Sequence, residues 1–312
     1  MNFSEFVLQN EVTIRLGFFF GIFATMAVWE VISPRRRLHL GRSVRWLNNL
    51  GLVFLNSFVL RLLFPAAAVG MAVFSSEQGW GLFNYLEVPA TIAILVSIVA
   101  MDFVIYLQHV MVHAVPALWR LHRVHHADID IDVTTGARFH PLEIIVSMLI
   151  KFATIMVLGP PVVAVVIFEV ILNATAMFNH SNVRIPETVD RIMRWLVVTP
   201  DMHRVHHSVE DDEANSNFGF SLPWWDRLFG TYRDQPGAGH EAMSIGIHTY
   251  NTPKLVAWLP GMLMLPFIGK VSSYAINRRE WSTDDAYEVD STGSIPDTDG
   301  GDSCGHQLPR SV

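Results

Sequence analysis

The sequence predicts an all-α integral membrane protein: about three transmembrane helices and a helical hairpin, with a cytoplasmic helical cap that carries clustered histidines. Three observations carry this. Of the 312 residues, 51% are hydrophobic and only 16% charged, against about 25% charged in a soluble domain. Apolar runs long enough to cross a bilayer alternate with polar loops. The 14 histidines concentrate in boxes of helical spacing: His109 and His113 lie one turn apart, and HxxHH occurs twice, at 122–126 and at 203–207.

The first apolar run, Val12 to Ile32, has about the 20 residues a bilayer needs and precedes Pro34-Arg35-Arg36-Arg37. No small-residue cleavage site follows it, so it reads as an anchor rather than a signal peptide. Arg35, Arg36, Arg37, Arg42 and Arg45 place the next loop in the cytoplasm and the N-terminus outside. Leu50 to Phe74 is expected to be the second span. The loop Ser75 to Glu87 lacks Lys and Arg, as an outside loop should. A third span starts at Pro89 and delivers His109 and His113 to the inner surface.

Residues 114–143 are polar. From Ile144 to Leu172 the chain is again apolar, broken by Gly159-Pro160-Pro161. One straight helix there would put the histidine boxes on opposite sides of the membrane. A proline pair breaks helices, so a hairpin is expected, with arms of about 15 residues and roughly 22 Å, returning the chain to the same side. An amphipathic segment, Glu187 to Val198, leads to the last box. Asn217 to Tyr232 is aromatic and glycine-rich, and Val256 to Ile268 is apolar but short and interrupted by prolines. Both read as interfacial.

The formal net charge of -7 arises in the tail. Residues 280–312 hold eight acids and one base, leaving 21 acidic and 21 basic residues elsewhere, so nothing points to a nucleic-acid partner. From about Asn277 the composition is that of a disordered tail. A single cysteine, Cys304, excludes an intrachain disulfide framework and a cysteine-bound cluster or structural zinc. Any metal is held by histidine.

In a helix, HxxHH presents three imidazoles on one face. With histidine this frequent, one such pattern arises by chance only about 0.03 times per chain, so two copies plus HxxxH are not accidental. Imidazole suits iron, copper, zinc and nickel. Eight box histidines are too many for one ion, and point to two metals with four or five nitrogens each and open positions for oxygen or water. His140 and His180 flank the hairpin on the same side and could reach the site. His39, His240, His248 and His306 have no partner one turn away and are not expected to be ligands.

Taken in order, HVMVH, LHRVHHAD, RFHPLE, FNHSN, TPDMHRVHHS and WWDRLFGTY resemble the fatty acid hydroxylase and sterol desaturase superfamily over roughly residues 95–250. The resemblance implies a non-haem di-iron centre that uses O2 to hydroxylate or desaturate a C–H bond of a lipid. Carried over by motif, His109, His113, His122, His125, His126, His203, His206 and His207 would bind iron, joined by His140 and His180. Glu143, Asp201 and Asp226 lie within or beside the motifs and could accept the second ring N–H of ligand histidines. The organisation expected is then transmembrane helices at 1–94, the catalytic region at 95–250, an interfacial segment at 251–276 and the acidic tail at 277–312. Without a nucleotide fingerprint or haem-attachment motif, electrons must come from a separate donor protein. The short chain and lack of a retrieval signal favour a bacterial inner membrane over the endoplasmic reticulum. A zinc-dependent membrane lipid hydrolase is the alternative. It would need three or four ligands and a carboxylate base rather than eight histidines.

Overall fold

The computed structural model describes residues 3–269, so the expected acidic tail lies outside the described residues. Among the described residues every regular element is helical, with three isolated bridges and no strand. The order is α1 (Phe3–Gln9), α2 (Glu11–Ile32), α3 (Arg42–Leu63), α4 (Ala67–Glu77), α5 (Leu82–Tyr85), α6 (Ala90–Ala114), α7 (Pro116–His126), α8 (Pro141–Leu158) and α9 (Val162–Asn179). Shorter helices follow: α10 (Glu187–Met193), α11 (Pro200–His206), α12 (Asp211–Ala214), α13 (Trp224–Phe229), α14 (Gly239–Ala242), α15 (Pro253–Val256) and α16 (Leu259–Met264).

Five segments are long and apolar enough to cross a membrane: α2, the stretch from α3 through α5, α6, α8 and α9. They cover the stretches in which three spans and a hairpin were expected. One difference concerns the second span, expected as a single run through Phe74. The helix stops at Leu63, because Pro65 cannot donate to a continuing ladder, and the chain turns through Ala67 at φ 49° before resuming as α4. Fully buried Ala68 and Ala72 then bring α4 against Ile155, Val165 and Phe168 of the hairpin.

The hairpin forms where the glycine and prolines require it. Gly159 ends α8 in the left-handed conformation, φ 62°, closed by its N–H donating to Ile155 O at 2.8 Å. A side chain there would also collide with the Trp80 carbonyl, 2.4 Å from an added Cβ. Each arm has 18 residues, about 27 Å at 1.5 Å per residue, longer than the 22 Å expected and close to a hydrocarbon core of about 30 Å. Half of the apolar window of α9 is buried, against 6% for α2, so α9 is the central helix around which α2, α4 and α6 pack.

In lipid, apolar surface gives helices no reason to associate, and polar contacts and close packing must do it. The spans supply such contacts. Glu169 of α9 accepts from Arg15 of α2 at 2.5 Å and from Lys151 of α8 at 2.6 Å. Arg15 also pairs with Glu11 at 2.9 Å. Below this cluster, Glu30 Oε1 accepts from the amides of Val133 at 2.7 Å and Asn182 at 2.8 Å, fastening α2 to the two loops that flank the histidines.

Candidate metal centre

Each histidine box is placed by the way its helix starts or ends. His109 and His113 occupy the last turns of α6. One residue later Pro116 opens α7, at the position where the missing N–H costs nothing, and α7 carries His122, His125 and His126 on its last turns. Box three repeats the device: Thr199 caps α11, its Oγ1 accepting from Met202 N–H at 3.3 Å, and Pro200 follows. His180 ends α9. Gly136 lets the 127–140 loop approach it, since a Cβ there would lie 2.3 Å from Ala176 O.

These elements bring nine buried histidines into two clusters. His109, His113, His122, His126 and His206 form one; His125, His180, His203 and His207 form the other. Within each cluster the candidate ligand atoms all lie within 4.8 Å of one another. The two HxxHH boxes are split in opposite senses. In the α7 box the first and last histidines, His122 and His126, serve the five-membered cluster and His125 serves the other. In the third box His203 and His207 serve the four-membered cluster and His206 crosses over. Rings of the two groups abut, His126 and His207 stacking at 4.6 Å.

The donor set fits metal ions. Four rings donate from Nδ1 to an oxygen: His122 to Glu143 at 2.6 Å, and His109, His206 and His180 to the carbonyls of Phe218, Ser216 and Ala176 at 2.8 Å each. This fixes the tautomer with the Nε2 lone pair free. Nε2 of His109, His122 and His206 is buried without a hydrogen-bond partner, and Nε2 of His180 faces Nε2 of His125 and His203 at 3.0 and 3.1 Å. Converging lone pairs without a proton or cation between them cost free energy. A cation removes that cost. Burial, followed by neighbouring imidazoles, holds His125, His126, His203 and His207 well below the ordinary histidine range. Burial also pushes His180 down to about 4 and His206 to about 3. These six rings are held in the neutral form that metal ligation requires.

Other residues expected at the site lie around the clusters. His140 is outside both: its Nδ1 accepts from Leu142 N–H at 3.2 Å and caps α8. Glu143 is in direct contact with His122. Asp226 acts one step away, accepting from the amides of Phe218 and Gly219 at 2.8 Å each and so holding the strand of backbone whose carbonyls receive His109 and His206. Burial pushes its carboxyl up to about 6. Asp201 pairs with Arg35 at 3.1 Å and with Arg204, on the outer side of α11. Several supporting residues escaped the sequence reading. Asn217, at φ 51°, donates to Met202 O at 3.0 Å and to Arg233 O at 2.8 Å. Asp102 accepts from Trp225 Nε1 at 2.9 Å. Buried Arg45 grips Asp128 and Asp132 of the loop after the second box; the alternating acids of ADIDID were the available signal.

A cavity of about 410 Å³ opens from His109, His122 and His125 into the helical bundle, walled by apolar side chains such as Leu60, Ile105, Met148 and Leu172. Arg15, Lys151 and Glu169 also line it, Lys151 lying eight residues along α8 from Glu143.

A model of the fatty acid hydroxylase family matches residues 94–231, which contain all nine clustered histidines together with Glu143, Asp201 and Asp226. Over these residues the chain is similar to fatty acid hydroxylases. Among curated relatives, the ornithine lipid hydroxylase of Rhizobium tropici is 27% identical over 61% of this chain and 55% of its own length. Alkylglycerol monooxygenase of Xenopus tropicalis is 29% identical over 59% of this chain and 41% of its own. A very-long-chain aldehyde decarbonylase of Oryza sativa subsp. indica is 26% identical over 58% and 33% respectively. The chain thus spans about half or less of these relatives, and no solved structure matches it. The matched stretch begins in α6 and ends just after α13, so α1 to α5 and everything after Thr231 lie outside it.

Proposed function

We propose that this protein is a membrane-bound non-haem di-iron oxidoreductase that uses O2 and externally supplied electrons to hydroxylate or desaturate a C–H bond of a lipid. The observation that carries this is the pair of buried all-histidine clusters beside a largely apolar cavity among helices long and apolar enough to cross a membrane. His109, His113, His122, His126 and His206 would hold one iron, and His125, His180, His203 and His207 the other. His140 would act by capping α8 rather than as a ligand. Two irons supply the O2 activation and C–H oxidation that no side chain can perform. The protein's own contribution is geometric. Glu143, Ser216 O, Phe218 O and Ala176 O hold four rings in one tautomer and orientation, and the cavity wall excludes water and lays an aliphatic chain against the clusters.

The supports for orientation are the basic loop and its contacts. Arg35 N–H donates to Asn182 O, two residues from His180, and Arg36 reaches Met243 O at 2.7 Å. The arginine-rich segment thus lies at the histidine end of the bundle, which by the positive-inside rule faces the cytoplasm. A separate protein delivers the electrons, and a bacterial inner membrane suits the first-named relative. The catalytic region is residues 95–250, preceded by the anchoring helices of 1–94 and followed by the interfacial segment of 251–276. The zinc hydrolase alternative finds no support, since the relatives named are a hydroxylase, a monooxygenase and a decarbonylase.

Metal analysis with Mössbauer spectroscopy on protein purified without oxygen from iron-57 medium tests this reading. Two irons per chain and lipid oxidation that depends on them are expected. Stoichiometric zinc after iron-replete growth, with no iron-dependent activity, overturns it.

A further inference from the structure

We propose that Lys151 and Arg15, held in place by Glu169, form a subsite for the anionic end group of a single-chain lipid, at the end of the cavity opposite the histidines. The inference rests on the lipid-oxidase reading and deepens it by naming the substrate's end group. Three charged side chains from α2, α8 and α9 line the same cavity as His109, His122 and His125, and the rest of the wall is mostly apolar, with Gln108 and Ser147 paired to each other at 3.2 Å. Ionisable groups inside a membrane are costly, and where they face a cavity they mark a binding site by default.

Charge and donor counts separate this cluster from a mere tie between helices. A tie needs one cation and one carboxylate. Here two cations share Glu169 at 2.5 and 2.6 Å, and Glu11, the other partner of Arg15, does not line the cavity. At this end the lining therefore holds two cations against one carboxylate, the other lining carboxylate, Glu143, lying beside His122. An ammonium offers three N–H donors and a guanidinium five, more than the two carboxylates take up. An anionic oxygen group, carboxylate or phosphate, completes them.

Spacing along the helices sets what can reach across. From Glu143, which touches His122, to Lys151 is eight residues of α8, about 12 Å; from Glu169 to His180 is eleven residues, about 16 Å. At roughly 1.2 Å per bond of an extended chain, oxidation falls on the order of ten to thirteen bonds from the anionic group. A volume of about 410 Å³ sits at the small end of ligand sites and admits one chain rather than the two of a diacyl lipid.

The test is equilibrium binding of radiolabelled palmitate, palmityl alcohol and palmitoyl lysophosphatidate to the full chain in detergent, with metal content and melting temperature recorded for each variant. A charged hydrogen bond at this site predicts that palmitate binds roughly tenfold or more tighter than the alcohol. Lys151→Met removes that preference without changing alcohol binding, and Lys151→Arg retains it. If lysophosphatidate rather than palmitate shows the preference and the same sensitivity, the subsite stands and its ligand is a phosphate headgroup. Equal binding of all three, or an equal loss of acid and alcohol in Lys151→Met, overturns the proposal and leaves a structural tie. If Lys151→Met does not fold, Arg15→Gln carries the same expectation. Wild-type protein that shows the charge preference but holds no iron sinks the oxidase reading alone; iron without the preference sinks the subsite alone.

Discussion

The two HRVHH boxes are the same peptide put to mirrored use. On α7 the outer histidines serve the five-membered cluster and the middle one crosses; on α11 the assignment is reversed. Their supports differ as well. The α7 box leans on a side-chain carboxylate, Glu143 to His122, whereas the α11 box leans on backbone, Ser216 O to His206. Helical spacing fixes which rings share a face, but the direction in which the helix enters decides which ring belongs to which cluster. A repeated motif therefore yields two sites of unequal size rather than two copies of one.

The mirrored assignment breaks most visibly when one ring is removed from each side. His126→Ala and His207→Ala are each expected to abolish lipid oxidation and to lower bound iron, each emptying the cluster its own ring serves; anaerobic metal analysis checks this, and a variant that retained both irons with full activity would refute the assignment. Next comes the difference in support. Glu143→Gln keeps a hydrogen-bond acceptor but not the charge, and metal affinity should fall on the order of 10- to 100-fold, measured by competition with a chelator. The backbone-supported box has no such side chain to change. Its nearest equivalent is Asn217→Ala, which removes the ties to Met202 and Arg233 and should lower stability by about 1–3 kcal/mol, with iron retained in the folded fraction.

Acid sharpens the comparison further. His180 and His206, one from each cluster, are buried with values lowered from 6.5 to about 4 and about 3. A depressed histidine contributes stability that is present above its unfolded value and is lost as pH falls through the folded one. The melting temperature of the metal-free protein should therefore decline from about pH 6.5 down to about 4, and a flat profile over that window would contradict the burial of these rings. The smallest effect is expected at a helix start: Thr199→Ala removes the cap of α11, about 1 kcal/mol by denaturant titration, with no counterpart on α7, whose start has no side-chain cap.

Much of this arrangement was legible in the sequence. Boxes at i, i+3 and i+4 are read directly because the helix period is local, and the Gly159-Pro160-Pro161 turn follows from backbone sterics alone. His180 joined the clusters as expected from its place at the end of the hairpin. What stayed hidden depends on long-range placement. The acceptors for His109, His206 and His180 are main-chain carbonyls, which every residue possesses, so no residue type announces them. His140 lies one residue from a helix start, and its ring serves the helix rather than the clusters. The break at Pro65 was visible as a proline, yet the apolar run continues to Phe74 and hydropathy does not register a turn.

Arg15 and Glu169 lie 154 residues apart, and that interval has a meaning for biogenesis. At translation rates of about 5–20 residues per second, the arginine enters the bilayer roughly 8–30 s before its α9 partner exists. For that time its charge has one neighbour within reach, Glu11, four residues back on the same helix at 2.9 Å. The local pair is the arginine's escort during insertion, and Glu169 and Lys151 complete the cluster when the hairpin arrives.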